Sequence, residues 1–98
     1  MTIFNLGSIN LDYFYRLPNL VSAGETLAAN NFNIELGGKG ANQSVALAKA
    51  GANVFHIGAF GQKDKLYLQE MQNAGVNLDF VALLDMPSGH AIIMVDEK

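Results

Sequence analysis

Three glycines within four residues give the segment Gly37–Asn42, called the glycine segment below, the character of a ligand-binding turn. Glycine permits backbone angles that are closed to other residues, and it lets a ligand approach the main chain without meeting a Cβ atom. The N–H groups in the first turn of a following helix point at such a ligand, and Lys39 and Asn42 add side-chain donors. The segment therefore predicts a site for an oxygen-rich ligand. The alternative is a turn that only makes room for helix packing.

Neither of the common nucleotide-binding motifs accounts for the glycine segment. A Walker motif needs Ser or Thr after its Gly-Lys pair to hold magnesium, and here Gly40 follows Lys39. A dinucleotide-binding fingerprint that begins at Gly38 needs a small residue at its sixth position, which is Gln43. We therefore do not predict a nucleotide site from this segment.

A second polar pair, Asn10 and Asp12, follows the first apolar run of the chain. Residues two apart in an extended chain point to the same side, so these two side chains are expected to face one ligand together. A carboxylate that accepts two vicinal hydroxyls, beside an amide that donates and accepts, can hold a sugar or polyol. The alternative is an Asx turn at the end of the strand.

The elements that position these groups follow from hydrophobic periodicity and from glycine and proline stops. Strands are expected at 1–9, 12–16, 26–36, 53–60, 76–84 and 90–96. The first of them is expected to be buried, and the strand at 26–36, which precedes the glycine segment, is expected to be half-exposed. One helix is expected over 41–50, closed by Gly51. The order of strand, helix and strand from 26 to 60 predicts a right-handed crossover.

Two further polar residues are interpreted as structural. His56 lies inside an apolar run, away from His90, which favours a hydrogen-bonded histidine at a sheet margin over a metal-binding or catalytic residue. Asp64 can cap a second helix that ends at Gly75, with Leu66 and Met71 among its apolar positions.

Composition sets limits on the class of protein. The 98 residues are 50% hydrophobic and 15% charged, so one modest core can form. A net charge of −3 argues against a nucleic-acid or anionic-membrane partner, and zero cysteines exclude a disulfide scaffold and a thiolate metal site. No basic leader precedes an apolar stretch, and no apolar run approaches the roughly 18 residues of a membrane helix. A cytoplasmic protein fits these features best.

The order and spacing of the motifs resemble the ribokinase-like (PfkB) carbohydrate kinases over nearly the whole chain. The matching motifs are 7–12, Pro18, 24–26, 37–43, Ala48 and Gly51. Within that family the chain is most similar to the ribokinase branch, because the run Gly-Gly-Lys-Gly-Ala-Asn-Gln is complete. The resemblance implies an α/β fold: the N-terminal part of a doubly wound sheet, with core segments 1–9 and 37–84 and a small β-lid at about 12–36 and 88–98.

The same resemblance implies a function. It is that of a kinase which phosphorylates a sugar hydroxyl with ATP and Mg²⁺, the sugar being ribose or a similar pentose or ketohexose. The substrate-binding residues that it implies are Asn10, Asp12, Gly38, Lys39, Gly40, Ala41, Asn42, Ala91 and Ile93, the last two as an apolar wall. The family's catalytic base is an aspartate in a Gly-Ala-Gly-Asp motif, which this sequence lacks. No catalytic or metal-binding residue is therefore assigned, and the 98 residues alone are expected to be inactive.

The sequence departs from the family in places and leaves alternatives open. The family's Gly-x-Asp-x-x-Gly is replaced at 61–66, and its Thr-Gly becomes Ser88-Gly89. Doubly wound sheets with their own active site usually need about two or three times this length, so the chain is expected to be an N-terminal fragment. The alternatives are a nucleoside kinase of the same family and a non-catalytic sugar-binding module. Tyr13 and Tyr15 on the lid mark either a homodimer surface or packing on the chain's own core.

Overall fold

The computed structural model describes residues 1–97 and arranges them as two three-stranded sheets joined by short helical segments. The elements are β1 (Thr2–Leu6), β2 (Asn10–Leu17), β3 (Asn31–Gly37), α1 (Lys39–Lys49), β4 (Asn53–Gly61), a 3₁₀ segment (Gln62–Leu68), α2 (Gln69–Asn73), β5 (Asn77–Leu84) and β6 (His90–Asp96). Lys98, the last residue of the expected lid segment 88–98, lies outside the described residues. No helix within residues 1–97 is long and apolar enough to cross a membrane.

The first sheet has the strand order β1-β4-β5, and all of its strands are parallel. Its central strand, β4, reads as a continuous apolar run because it has neighbours on both edges and α1 on one face. The core cluster of buried apolar residues consists of Ile9, Leu11, Ala41, Val54, Phe60, Leu68, Met71 and Val76. The expected α/β class with a parallel sheet is confirmed.

The second sheet has the strand order β3-β2-β6, with β2 antiparallel to β3 and parallel to β6. Its register places Asp12 beside Glu35 on one neighbour and beside Ala91 on the other. Paired residues share a face of a sheet, so these three lie on one face, which we call the polar face. Leu11 and its partner Leu36 lie on the opposite face and contribute to the core.

The structure corrects three expectations about the strands. The first strand is not buried within the described part of the chain, because Phe4 is 59% and Leu6 77% exposed on the face away from α1. The strand expected from residue 26 begins only at Asn31, and 26–30 carry no strand. The crossover prediction is also wrong, since β3 pairs with β2 in the second sheet and α1 therefore connects two different sheets.

The segment after β4 also differs from expectation. Asp64 does not cap a helix, because no side-chain hydrogen bond caps either the 3₁₀ segment or α2. Its carboxylate instead accepts a hydrogen bond from Ser88, and this contact lies in a 3₁₀ turn rather than an α-helix. Leu66 is 81% exposed, whereas Met71 is fully buried and Gly75 ends the helix at φ 100° as expected.

Candidate functional site

The first turn of α1 packs closely against the turn that follows β1. A Cβ atom on Gly40 would lie 2.5 Å from the Cα of Gly7 and 2.6 Å from the nitrogen of Ser8, so only glycine permits this approach. The N–H of Ala41 donates to the carbonyl of Ser8 at 2.9 Å, and the Ala41 side chain is buried. Gly40 and Ala41 thus have packing roles here, and a contact of either with a ligand stays a prediction.

The remaining first-turn donors of α1 are unoccupied within the described chain. Gly38 adopts φ 98°, and no side chain caps the helix. The N–H groups of Lys39 and Gly40 find no acceptor among residues 1–97. Such N–H groups carry the partial positive charge of the helix N-terminus and favour an oxygen-rich or anionic ligand.

Asp12 is positioned by the pairing of β2 with β3. Its carboxylate lies against the main chain of Gly37, where a Cβ atom would fall 2.8 Å from the Asp12 Cγ. Asn10 pairs with Gly37 in the register, and a Cβ on Gly38 would lie 3.1 Å from the Asn10 nitrogen. The glycine segment therefore lies beside both polar side chains, because Asn10 and Asp12 are on the same strand, β2, which pairs with β3.

The far side of Asn10 is bounded by the beginning of β6. The Asn10 Oδ1 would lie 2.8 Å from a Cβ on Gly89, and the Leu11 N–H donates to the Gly89 carbonyl at 2.9 Å. Ala91 follows on the polar face beside Asp12, and Ile93 lies one pair further along, beside Phe14. The polar face thus has apolar side chains next to its carboxylate.

Four of the polar candidates are not engaged elsewhere in the protein. The side chains of Asn10, Asp12, Lys39 and Asn42 make no hydrogen bond or ion pair within residues 1–97. No buried side-chain nitrogen or oxygen in that part of the chain lacks a partner, so these four groups reach solvent. Asn10 and Asp12 lie inside β2, and the structure does not show the alternative Asx turn.

The candidates are not all brought to one point. Asn10, Asp12, Gly37 and Gly38 lie in contact, and Ala91 is the direct neighbour of Asp12. Asn42 is exposed in the first turn of α1 and lines a groove of about 250 Å³ along that helix. The other residues of the groove are Leu36, Ala41, Val45, Ala46, Lys49 and Glu70.

A buried chain of polar side chains beneath the glycine segment was not expected from the sequence. His56 is hydrogen-bonded, as expected, but it lies fully buried on the central strand β4 and not at a sheet margin, and its partners were not foreseen. They are Ser44, at 2.7 Å from the His56 Nδ1, and the carbonyl of Gly7, at 3.0 Å from the Nε2. A signal was present in Asn5 and Ser44, which are polar residues at core-facing positions of a strand and a helix.

The described residues do not supply a metal site. No group of three or more His, Cys, Asp or Glu side chains within residues 1–97 could hold a metal ion. Mg²⁺ is bound through carboxylates and phosphate oxygens in octahedral geometry, and Asp12 alone does not provide that set.

Comparison with known proteins identifies relatives of the whole described chain. The model of the pfkB family carbohydrate kinases matches residues 2–98. A ribokinase from Haemophilus influenzae is 48% identical over 60 residues, which are 61% of this chain and 20% of that protein. The 60 matched residues thus span about a fifth of the length of this curated relative.

Two solved structures show the same fold. A ribokinase from Cryptococcus neoformans in complex with ADP is 35% identical, with a TM-score of 0.89 over 98% of this chain and 31% of that one. The Arabidopsis thaliana ribokinase complexed with ribose and ATP is 32% identical, with a TM-score of 0.85 over 97% of this chain and 32% of that one.

Proposed function

The chain belongs to the PfkB family of carbohydrate kinases, and from this premise we propose that it forms the sugar-recognition part of an ATP-dependent sugar kinase. The observation that carries the proposal is the juxtaposition of two unengaged polar side chains, Asn10 and Asp12, with the glycine segment. The likeness to a ribokinase structure complexed with ribose and ATP supports it.

The chemistry of the site favours a polyhydroxylated ring as the ligand. The Asp12 carboxylate accepts hydrogen bonds from two neighbouring hydroxyls, while Asn10 both donates and accepts. Lys39 and the free N–H groups at the start of α1 donate to further sugar oxygens. Ala91 and Ile93 contact the C–H face of the ring. Ribose or a similar pentose or ketohexose is therefore the proposed substrate.

Asp12 is assigned a positioning role and not proton transfer. A carboxylate that holds two hydroxyls fixes the orientation of the sugar, which lowers the entropic part of the barrier to phosphoryl transfer. The transfer also needs a base, a nucleotide site and Mg²⁺. We place these three outside residues 1–97, since the described residues include no metal-binding cluster and the glycine segment fits neither nucleotide motif. The 98 residues alone are proposed to transfer no phosphate.

The second sheet is also proposed to mediate a homodimer. On the face opposite the polar one, Tyr13 packs partly on the chain's own core, and Phe32 lies 4.8 Å from the ring of Tyr15. Ile92 and Met94 on the same face are 64% and 52% exposed. A second copy would cover this apolar strip. Cytoplasmic location stays a prediction.

The substrate assignment is tested by turnover in the full-length protein that contains this chain. The assay follows ADP production with magnesium-ATP and a panel of ribose, fructose, glucose and adenosine. We expect the highest kcat/KM for ribose or a closely related sugar. A higher kcat/KM for adenosine would overturn the assignment in favour of a nucleoside kinase, and sugar binding without turnover would favour a non-catalytic module.

A further inference from the structure

A buried chain of three polar side chains runs underneath the glycine segment. It consists of Asn5 on β1, Ser44 on α1 and His56 on β4, and we call it the polar chain. Ser44 and His56 are both 0% exposed, and Asn5 is half-buried. Buried polar groups are costly unless they are paired, so the contacts of these side chains determine their effect on the fold.

The hydrogen bonds of the polar chain have one consistent direction. The His56 Nε2 lies 3.0 Å from the carbonyl of Gly7, which only accepts, so the Nε2 carries the proton. The Nδ1 is then an acceptor, and the hydroxyl of Ser44 donates to it at 2.7 Å. The Ser44 oxygen accepts in turn from the Nδ2 of Asn5 at 3.0 Å. The second proton of this Asn5 amide is donated to the carbonyl of Gly40 at 3.0 Å.

The two ends of the polar chain terminate on the two residues whose main chains touch. Gly7 and Gly40 approach so closely that neither tolerates a Cβ atom. Gly7 is also held by its N–H bond to the carbonyl of Ile57 on β4. The polar chain therefore links β1, α1 and β4 at the point where Gly40 of the glycine segment packs against Gly7.

We propose that Asn5, Ser44 and His56 are positioning residues which set the affinity for the sugar by fixing the contact between Gly7 and Gly40. This inference rests on the proposed function of the glycine segment in sugar binding. His56 and Ser44 are fully buried, so they act through the glycine main chain and do not contact the ligand. The adjacent first-turn N–H groups and the Asn10–Asp12 pair move with that contact, because Gly38 packs on Ser8 and Asn10.

The mechanism predicts which kinetic constant changes. Weakening one or two of the hydrogen bonds that hold a ligand lowers its affinity by roughly 10- to 100-fold. Loosening the Gly7–Gly40 contact displaces the sugar-binding donors but leaves the nucleotide site untouched. The KM for the sugar should therefore rise while the KM for ATP stays constant. A purely structural defect would reduce the fraction of active molecules, which lowers kcat and leaves both KM values unchanged.

The test compares His56→Phe, His56→Gln and Ser44→Ala in the full-length protein, with Ser22→Ala at an exposed loop serine as the control. Circular dichroism verifies the fold of each variant before kinetics are measured with ribose and ATP. We expect His56→Phe and Ser44→Ala to raise the sugar KM by about 10- to 100-fold. His56→Gln, which keeps a donor and an acceptor, should recover part of that loss. Ser44→Ala provides the test if His56→Phe does not fold.

Each outcome decides between the two proposals. Folded variants with an unchanged sugar KM, or with only a lower kcat, would overturn the positioning role and leave the proposed function intact. A wild-type protein that neither binds nor phosphorylates any sugar would overturn the proposed function, and the positioning role would fall with it. A raised sugar KM in Ser22→Ala as well would show that the effect is not specific to the polar chain, which would also overturn the positioning role.

Discussion

The carboxylate of Asp12 rests on the main chain of Gly37, so closely that a Cβ atom at residue 37 would lie 2.8 Å from the Asp12 Cγ. The contact is a consequence of register, since Asp12 is two residues beyond Asn10, the partner of Gly37 on β2. The glycine thus allows the carboxylate to lie flat against the segment that forms the other wall of the site.

Gly37→Ala is expected to weaken sugar binding by displacing the Asp12 carboxylate. The added methyl group cannot be accommodated unless Asp12 rotates away or β2 and β3 separate. We expect at least a tenfold increase in the Kd for ribose, measured by titration calorimetry on the full-length protein. Such an increase corresponds to about 1.4 kcal/mol of binding free energy.

Gly24→Ala is the matched control for this substitution. Gly24 has φ 77°, and no atom lies within 4 Å of the position that a Cβ would occupy there. Alanine at this residue therefore costs about 1–2 kcal/mol of backbone strain without touching the site. The control should lower the melting temperature and leave the Kd for ribose unchanged. Equal losses of affinity in both variants would mean that lowered stability, not Asp12 displacement, explains the effect.

Ser88→Ala is expected to destabilise the junction between the two sheets. The Ser88 hydroxyl donates to the Asp64 carboxylate at 2.8 Å and accepts from the Gly61 N–H at 2.9 Å, and the residue is 6% exposed. Alanine leaves a buried N–H without its acceptor, which costs about 1–3 kcal/mol. The free energy of unfolding from urea titration should fall by that amount, with an unchanged m-value.

Ser88→Thr serves as the comparison, because it keeps the hydroxyl that both partners need. Its free energy of unfolding should lie closer to wild type than that of Ser88→Ala. If the two substitutions are equally destabilising, the volume at residue 88 matters more than the two hydrogen bonds.

Ile92→Glu is expected to convert a dimer of the full-length protein into monomers. Ile92 is 64% exposed on the apolar face of the second sheet, where a second copy would bury it. A buried unpaired carboxylate in that interface is strongly unfavourable. Leu66→Glu is the control, because Leu66 is 81% exposed and lies outside this face, in the 3₁₀ segment that follows β4 of the first sheet. Sedimentation equilibrium that shows wild type and Ile92→Glu with the same mass would contradict a dimer through this face.

The local sequence pattern was sufficient to predict the secondary-structure elements around the site. The alternation of Asn10 to Arg16 and the glycine stop at Gly51 predicted β2 and α1 to within two residues. β4 followed from its apolar run, as expected for a central parallel strand. These elements depend on periodicity and on stops, which are properties of neighbouring residues.

The features that escaped prediction depend on contacts between distant residues. Asp64 was expected to cap a helix, but its carboxylate is engaged by Ser88, 24 residues away, and the turn becomes 3₁₀. The partners of His56 come from 12 and 49 residues away, so a hydrogen-bonded histidine was predictable but its buried central position and its partners were not. The exposure of one face of β1 was also not predicted, because burial of a strand depends on which distant residues pack on it. Among the aromatic rings described, Phe4 contacts only Phe55 and Phe80.

The most direct test of sugar recognition is the affinity of an Asp12→Ala variant for ribose in the full-length protein. Each hydrogen bond to a charged acceptor contributes about 1.5–3 kcal/mol, so the loss of two should weaken binding by about two to four decades. Asn42→Ala should cost less, because its amide is neutral. Asp79→Ala, at an exposed aspartate on β5, is the control and should bind ribose like wild type.

Titration calorimetry of Asp12→Ala and Asp79→Ala, with circular dichroism to verify that both are folded, completes this measurement. We predict that the affinity of Asp12→Ala for ribose falls by at least about 100-fold or below detection, while Asp79→Ala keeps the wild-type Kd. A folded Asp12→Ala protein with near-normal affinity for its best sugar would contradict the assignment of this carboxylate to sugar recognition.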